Sequence, residues 1–102
     1  MIYLEVIEAN KTDHDKYVLE LKDKIEEFYD DVSLHVPIKK GKYQYVEIDV
    51  VAKKGKKVDV YEVKCSHRIV KARSQKKKAE KHFKNLNNYF LYCGASGMLT
   101  LL

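Results

Sequence analysis

Asp49, Glu62 and Lys64 interrupt two runs that are rich in Val, Ile and Tyr: Tyr45-Val46-Glu47-Ile48-Asp49-Val50-Val51-Ala52 and Val58-Asp59-Val60-Tyr61-Glu62-Val63-Lys64. On a strand, alternate side chains share a face. Asp49 therefore goes with Glu47 and Val51, and Glu62 goes with Lys64 and Val60. A register that sets Asp49 opposite Val60 or Glu62 gathers Asp49, Glu62 and Lys64 on one side, and a slip of one residue separates them. Unpaired charges on so apolar a surface cost several kcal/mol each, by order of magnitude, so something must compensate them. A divalent cation held by two carboxylates and a backbone carbonyl is one solution. Mg²⁺ takes such oxygen ligands and keeps several waters. A cation so held activates water and offsets charge on a phosphate. Lys64 is placed to hold the attacking water or the phosphate.

The elements that must position these groups are legible in outline. Residues 2–8 alternate weakly, as a strand does. Thr12 is a helix cap, and Asp13 and Asp15 suit the positive end of the helix dipole. Tyr17, Val18, Leu21, Ile25 and Phe28 recur at helical spacing, which predicts an amphipathic helix over 13–29. Val32–Ile38 reads as a strand, with Pro37 at its end or on a sheet edge. Tyr43–Ala52 and Lys57–Cys65 are β-rich runs joined by a hairpin at Lys53-Lys54-Gly55-Lys56. Ile69, Ala72, Ala79, Phe83 and Leu86 predict a second helix over 68–87, about 30 Å long. Tyr89–Cys93 and Met98–Leu102 flank a last turn, Gly94-Ala95-Ser96-Gly97. Three meandering strands, a crossover helix and a further strand make an α/β fold with a mixed central sheet flanked by helices.

Asp49, a gap of twelve residues and then Glu62-Val63-Lys64 resembles the signature of the PD-(D/E)XK nuclease superfamily. The wording around it is closest to the small Holliday-junction-resolvase-like endonucleases. The resemblance covers roughly residues 13–93 and implies a restriction-endonuclease-like αβββαβ core. It implies a Mg²⁺ or Mn²⁺ site made by Asp49, Glu62 and the Val63 carbonyl, with Lys64 catalytic and DNA phosphodiesters hydrolysed. The family usually adds a glutamate from the first helix. Glu20, about 110° from the centre of the apolar stripe, is the choice here, ahead of Glu26 and Glu27. An exonuclease-like branch uses a histidine instead, and His14 is that candidate. Some family features are missing. Ile48 precedes Asp49 where many members have Pro, Ser66 stands two residues after Lys64 where a basic residue is common, and Gln75 is followed by Ala79 rather than a tyrosine.

The charge pattern points the same way. The chain has 102 residues, 20 Lys+Arg against 15 Asp+Glu, and a net charge of +5. Residues 1–38 are acidic, whereas residues 39–84 carry sixteen Lys+Arg and five acids. Arg68, Lys71, Arg73, Lys76, Lys77 and Lys78 give the second helix a face for nucleic-acid phosphates. Gln75 at the edge of the stripe is placed to reach a nucleotide or a metal-bound water. The plainer alternative is a lysine-rich solvated surface, or a non-catalytic nucleic-acid-binding module with the same fold. Length and a hydrophobic content of 45% fit one domain over 1–102. No apolar run approaches a membrane span, no signal peptide is apparent, and two cysteines make no disulfide framework, so an intracellular, cytoplasmic protein is expected. The resemblance also implies a homodimer, and the apolar end Met98–Leu102 is either its interface or a buried strand.

Overall fold

The computed structural model describes residues 13–40, 42, 44–65 and 69–102. The expected strand over 2–8, the Thr12 cap, Tyr43 and Arg68 lie outside the described residues. Helix α1 spans Asp13–Ile25, with Asp13 and Asp15 in its first turn and Lys22 and Lys24 in its last, as the helix dipole favours. A 3-10 turn, Glu26–Phe28, closes it. Val18, Leu21 and Ile25 are buried, but Phe28, expected on the same stripe, is 61% exposed, because the tighter winding of the 3-10 turn carries it off the buried face.

Five strands follow: β1 Asp31–Lys40, β2 Gln44–Lys54, β3 Lys57–Lys64, β4 Leu86–Cys93 and β5 Met98–Leu101. They form one mixed sheet in the order β1-β2-β3-β4-β5, antiparallel throughout except where β4 runs parallel to β3. Parallel neighbours need a crossover, and helix α2, Ile69–His82, supplies it. Pro37 lies on edge strand β1, where its missing N–H costs no ladder bond on the open side. Gly55 turns the β2–β3 hairpin with φ +60°, a conformation that costs glycine little.

Helix α2 is shorter than the apolar spacing predicts. Its 14 residues span about 21 Å. Leu86, expected as its last apolar residue, instead opens β4 beside Val58. The segment that follows carries Asn85, Asn87 and Asn88, poor helix formers. Asn85 is held by the hairpin: its carbonyl accepts from Val58 N at 3.2 Å, and its side chain donates to the Lys56 carbonyl.

The two helices cover opposite faces. Val18, Leu21 and Ile25 of α1 pack with Val50, Ala52, Tyr61, Val63 and Tyr92. Ala79 of α2 packs with Val51, Val58, Val60 and Tyr89. Adjacent residues such as Val50 and Val51 thus serve different cores, as strand alternation requires. Among the described residues no helix is long and apolar enough to cross a membrane.

Candidate functional site

The β2–β3 ladder begins at the hairpin and stops at the pair Val50–Tyr61. This is the frame that would set Asp49 opposite Glu62. Beyond it β2 stays with β1 down to Gln44, while β3 stays with β4 up to the pair Lys64–Cys93. The sheet splits there. Across the split β1 and β2 also change side: Val32 and Leu34 join the α1 core, whereas Val36 and Ile38 join the α2 core. The change falls at His35, which has φ +51° and stands opposite Asp49, between the pairs Leu34–Val50 and Val36–Ile48.

Val63 bears the consequence. The N–H and C=O of one strand residue point to the same side, and a buried peptide group must find partners. Val63 is fully buried and has lost its β2 neighbour. Side chains replace the missing strand. Asp49 Oδ2 accepts the Val63 N–H at 2.9 Å, and His14 Nε2 lies 3.0 Å from the Val63 carbonyl. The same Nε2 is 3.2 Å from Asp49 Oδ1. Both neighbours are acceptors, so Nε2 carries the proton and shares it between them. A cation at that proton's position would have the ligand types the sequence calls for, a carboxylate oxygen and a backbone carbonyl, with imidazole added. The donor set therefore fits a divalent ion.

Asp49 and Glu62, 6% and 3% exposed, are the buried charged residues among those described. Glu62 lies on the α2 side. It meets Lys64 Nζ at 3.1 Å and the Tyr89 hydroxyl at 3.2 Å. With its amide nitrogen turned to the carboxylate, as hydrogen bonding there requires, Gln75 donates to both Glu62 oxygens, at 2.6 and 3.0 Å. Gln75 reaches inward because it shares the buried face of α2 with Ala72 and Ala79. Burial, and then the Asp49 charge, push the Glu62 carboxyl above its ordinary range; Lys64 and Tyr89 pull it back in part. Tyr89 is itself pushed up by burial and by Glu62.

No protein-family model matches the chain, and no curated protein matches its sequence.

Glu20 does not join this group. Its carboxylate accepts from the Tyr92 hydroxyl at 2.9 Å and from Lys24 Nζ at 3.1 Å, and these two bonds hold it below the usual carboxylate range. It flanks the apolar stripe as the helical wheel has it, but that flank faces the end of Tyr92 rather than Asp49. The first turn of α1, not its middle, lies against the split, so His14 is the residue that α1 brings to Asp49.

Along α2, Lys71, Arg73 and Lys77 are exposed, and Lys76 is partly buried, 3.8 Å from Glu80. Lys78 lines a cavity of about 400 Å³ with Lys39, Lys81, His82, Ile38 and Val46. The basic face is thus continuous with a groove against the far ends of β1 and β2. His35 and Glu47 are additions that the sequence did not single out as site residues. His35 Nδ1 lies 2.8 Å from Glu47 Oε1, and both lie near Asp49. Glu47 shares a strand face with Asp49, a usable signal, but His35 joins them only once the β1–β2 register is known.

Proposed function

We propose that the protein is a Mg²⁺- or Mn²⁺-dependent DNA endonuclease of the PD-(D/E)XK kind, acting on branched DNA such as a four-way junction. The observation that carries the reading is the convergence of Asp49 Oδ1, the Val63 carbonyl and His14 Nε2 where the sheet splits, with buried Glu62 and partly exposed Lys64 on either side of Val63. The element order α1-β1-β2-β3-α2-β4 agrees with the αβββαβ order of a restriction-endonuclease-like core. A divalent ion bound there would lower the pKa of water and stabilise charge building on the phosphate. Asp49 orients the site by fixing the Val63 peptide. His14 would hold the ion through Nε2, with its single ring proton then carried on Nδ1. Lys64, partly exposed beside Glu62, faces outward enough to hold a water or a scissile phosphate oxygen. Gln75 and Tyr89 hold the Glu62 carboxylate in one orientation. The α2 lysines would neutralise flanking phosphates without reading sequence. The proposal includes a homodimer, for which edge strand β5 offers exposed Met98, Leu99 and Leu101.

One observation favours a second reading, a non-catalytic nucleic-acid-binding module. Both buried carboxylates already have protein partners, so the site is electrostatically tolerable without a metal. A single assay separates the two. Four-way junction, plasmid and linear single strand are incubated with Mg²⁺, Mn²⁺ or EDTA. Metal-dependent cleavage that Asp49→Ala and Glu62→Ala both abolish is the expected result. Binding without cleavage in either metal would transfer the protein to the second reading.

A further inference from the structure

Beside the His14 group, one further cluster among the described residues gathers both nitrogen and oxygen donors. One ligand atom each from His35, Glu47 and Asp49 lie within 4.8 Å of one another, on the β1–β2 ribbon at the split. We propose that these three residues form a second divalent-cation site, which shares the Asp49 carboxylate with the first. The inference extends the reading of Asp49 as a metal ligand.

The geometry is near what an ion demands. Ligand bonds of roughly 2.0–2.2 Å place donors around one ion no more than about 4.4 Å apart. The set needs only a small closure. Glu47, whose side chain is 59% exposed, is free to make it. His35 is set opposite Asp49 by the β1–β2 register. A left-handed φ at a non-glycine residue inside a strand is uncommon. Here it sits opposite Asp49 and accompanies the change of side along β1. Asp49 is anchored through Oδ2 to the Val63 N–H, so its position does not depend on either cation. His35 Nδ1 and Glu47 Oε1, now 2.8 Å apart, share a proton that a cation would displace.

The donor chemistry sets the class of ion. One imidazole nitrogen with two carboxylates favours Mn²⁺, Co²⁺ or Zn²⁺ over Mg²⁺. Three protein ligands, two of them exposed, leave coordination positions open to solvent. On the proposed reaction, those positions would suit a phosphate oxygen of the bound strand.

The test is Mn²⁺ binding to the full chain without DNA, followed by the EPR signal of free Mn²⁺ and by paramagnetic broadening of the histidine ring protons. Wild type should bind two ions and broaden both His14 and His35. His35→Ala and Glu47→Gln should each bind one ion, as tightly as before or more so, since two cations on one carboxylate repel. Glu47→Gln alters an exposed side chain and guards against a folding defect in His35→Ala. Wild-type stoichiometry in both variants, or an unbroadened His35 signal, overturns the second site while leaving the nuclease reading to the cleavage assay. Binding lost in His35→Ala but kept in His14→Ala, with no cleavage of any DNA, upholds the second site and removes the nuclease reading.

Discussion

At the scale of single residues, the division of labour between His14 and Glu20 is the sharpest outcome. A helical wheel puts His14 on the apolar stripe of α1 and Glu20 on its flank, but says nothing of which turn lies over the split. Glu20 is consumed by Tyr92 and Lys24, whereas His14 reaches Asp49 and Val63. Glu20→Gln should therefore cleave at close to the wild-type rate, and His14→Ala should lose at least about tenfold in metal affinity or activity, the scale seen when metal-site groups are removed. Metal-titrated cleavage rates on the two variants check this, and a dead Glu20→Gln would restore the glutamate. Glu62 makes a separate, metal-free prediction. Its proton is held more tightly folded than unfolded. As pH rises above the ordinary carboxylate value of 4.5, the unfolded chain loses that proton first, so stability falls through the window up to the raised value and stays lower above it. Glu62→Gln should remove this fall. In EDTA at neutral pH it should unfold at higher urea than wild type, and below pH 4 the difference should shrink.

At the scale of elements, the strands were more legible than the helix ends. The Gly55 hairpin, the two β-rich runs and the crossover follow from alternation and turn chemistry, which act over a few residues. The end of α2 does not, because Phe83 and Leu86 lie at helical spacing from Ala79 and still pack in the same core. They do so from a turn and a strand, anchored by the contacts of Asn85 with the β2–β3 hairpin. A periodic stripe records which residues are buried, not the path of the backbone between them. The split in the sheet was illegible for a related reason. Nothing in Tyr45–Ala52 marks Val50 as the last paired residue, and the conformation of His35 belongs to a partner strand. The basic surface of α2 was legible from composition alone. Changing Lys76, Lys77 and Lys78 together to Ala should weaken binding to all DNA sequences alike. The slope of log K against log salt should flatten by up to about 0.9 per lost phosphate contact. Fluorescence anisotropy across a salt series measures it, and an unchanged slope would take these lysines off the DNA.

At the scale of the whole molecule, the two helices give the sheet faces of unequal charge. On one side α1 is nearly balanced, with Asp13, Asp15, Glu20 and Asp23 against Lys16, Lys22 and Lys24, and on the other α2 sets six basic residues against Glu80 alone. A polyanion steered by this field approaches from the α2 side, which is also the side of Glu62, Gln75 and Lys64. On the proposed reading His14 would act from behind, through the gap that the diverging strands open. That gap makes one peptide group a witness to the site. The Val63 amide hydrogen belongs to no ladder on its β2 side and is shielded by a side-chain carboxylate. Its exchange with deuterated solvent should thus follow the fate of Asp49 rather than the opening of the sheet. In wild type it should exchange as slowly as the amide of Tyr61, two residues away, which faces the same side and is paired to Val50. In Asp49→Ala it should exchange far faster while Tyr61 stays protected, and a bound cation that pins the wild-type carboxylate should slow it further. Equal slowing or quickening of both amides would show that the split moves as one unit. Residue-resolved exchange by NMR thus reads the occupancy of the site at one backbone position, with no substrate present.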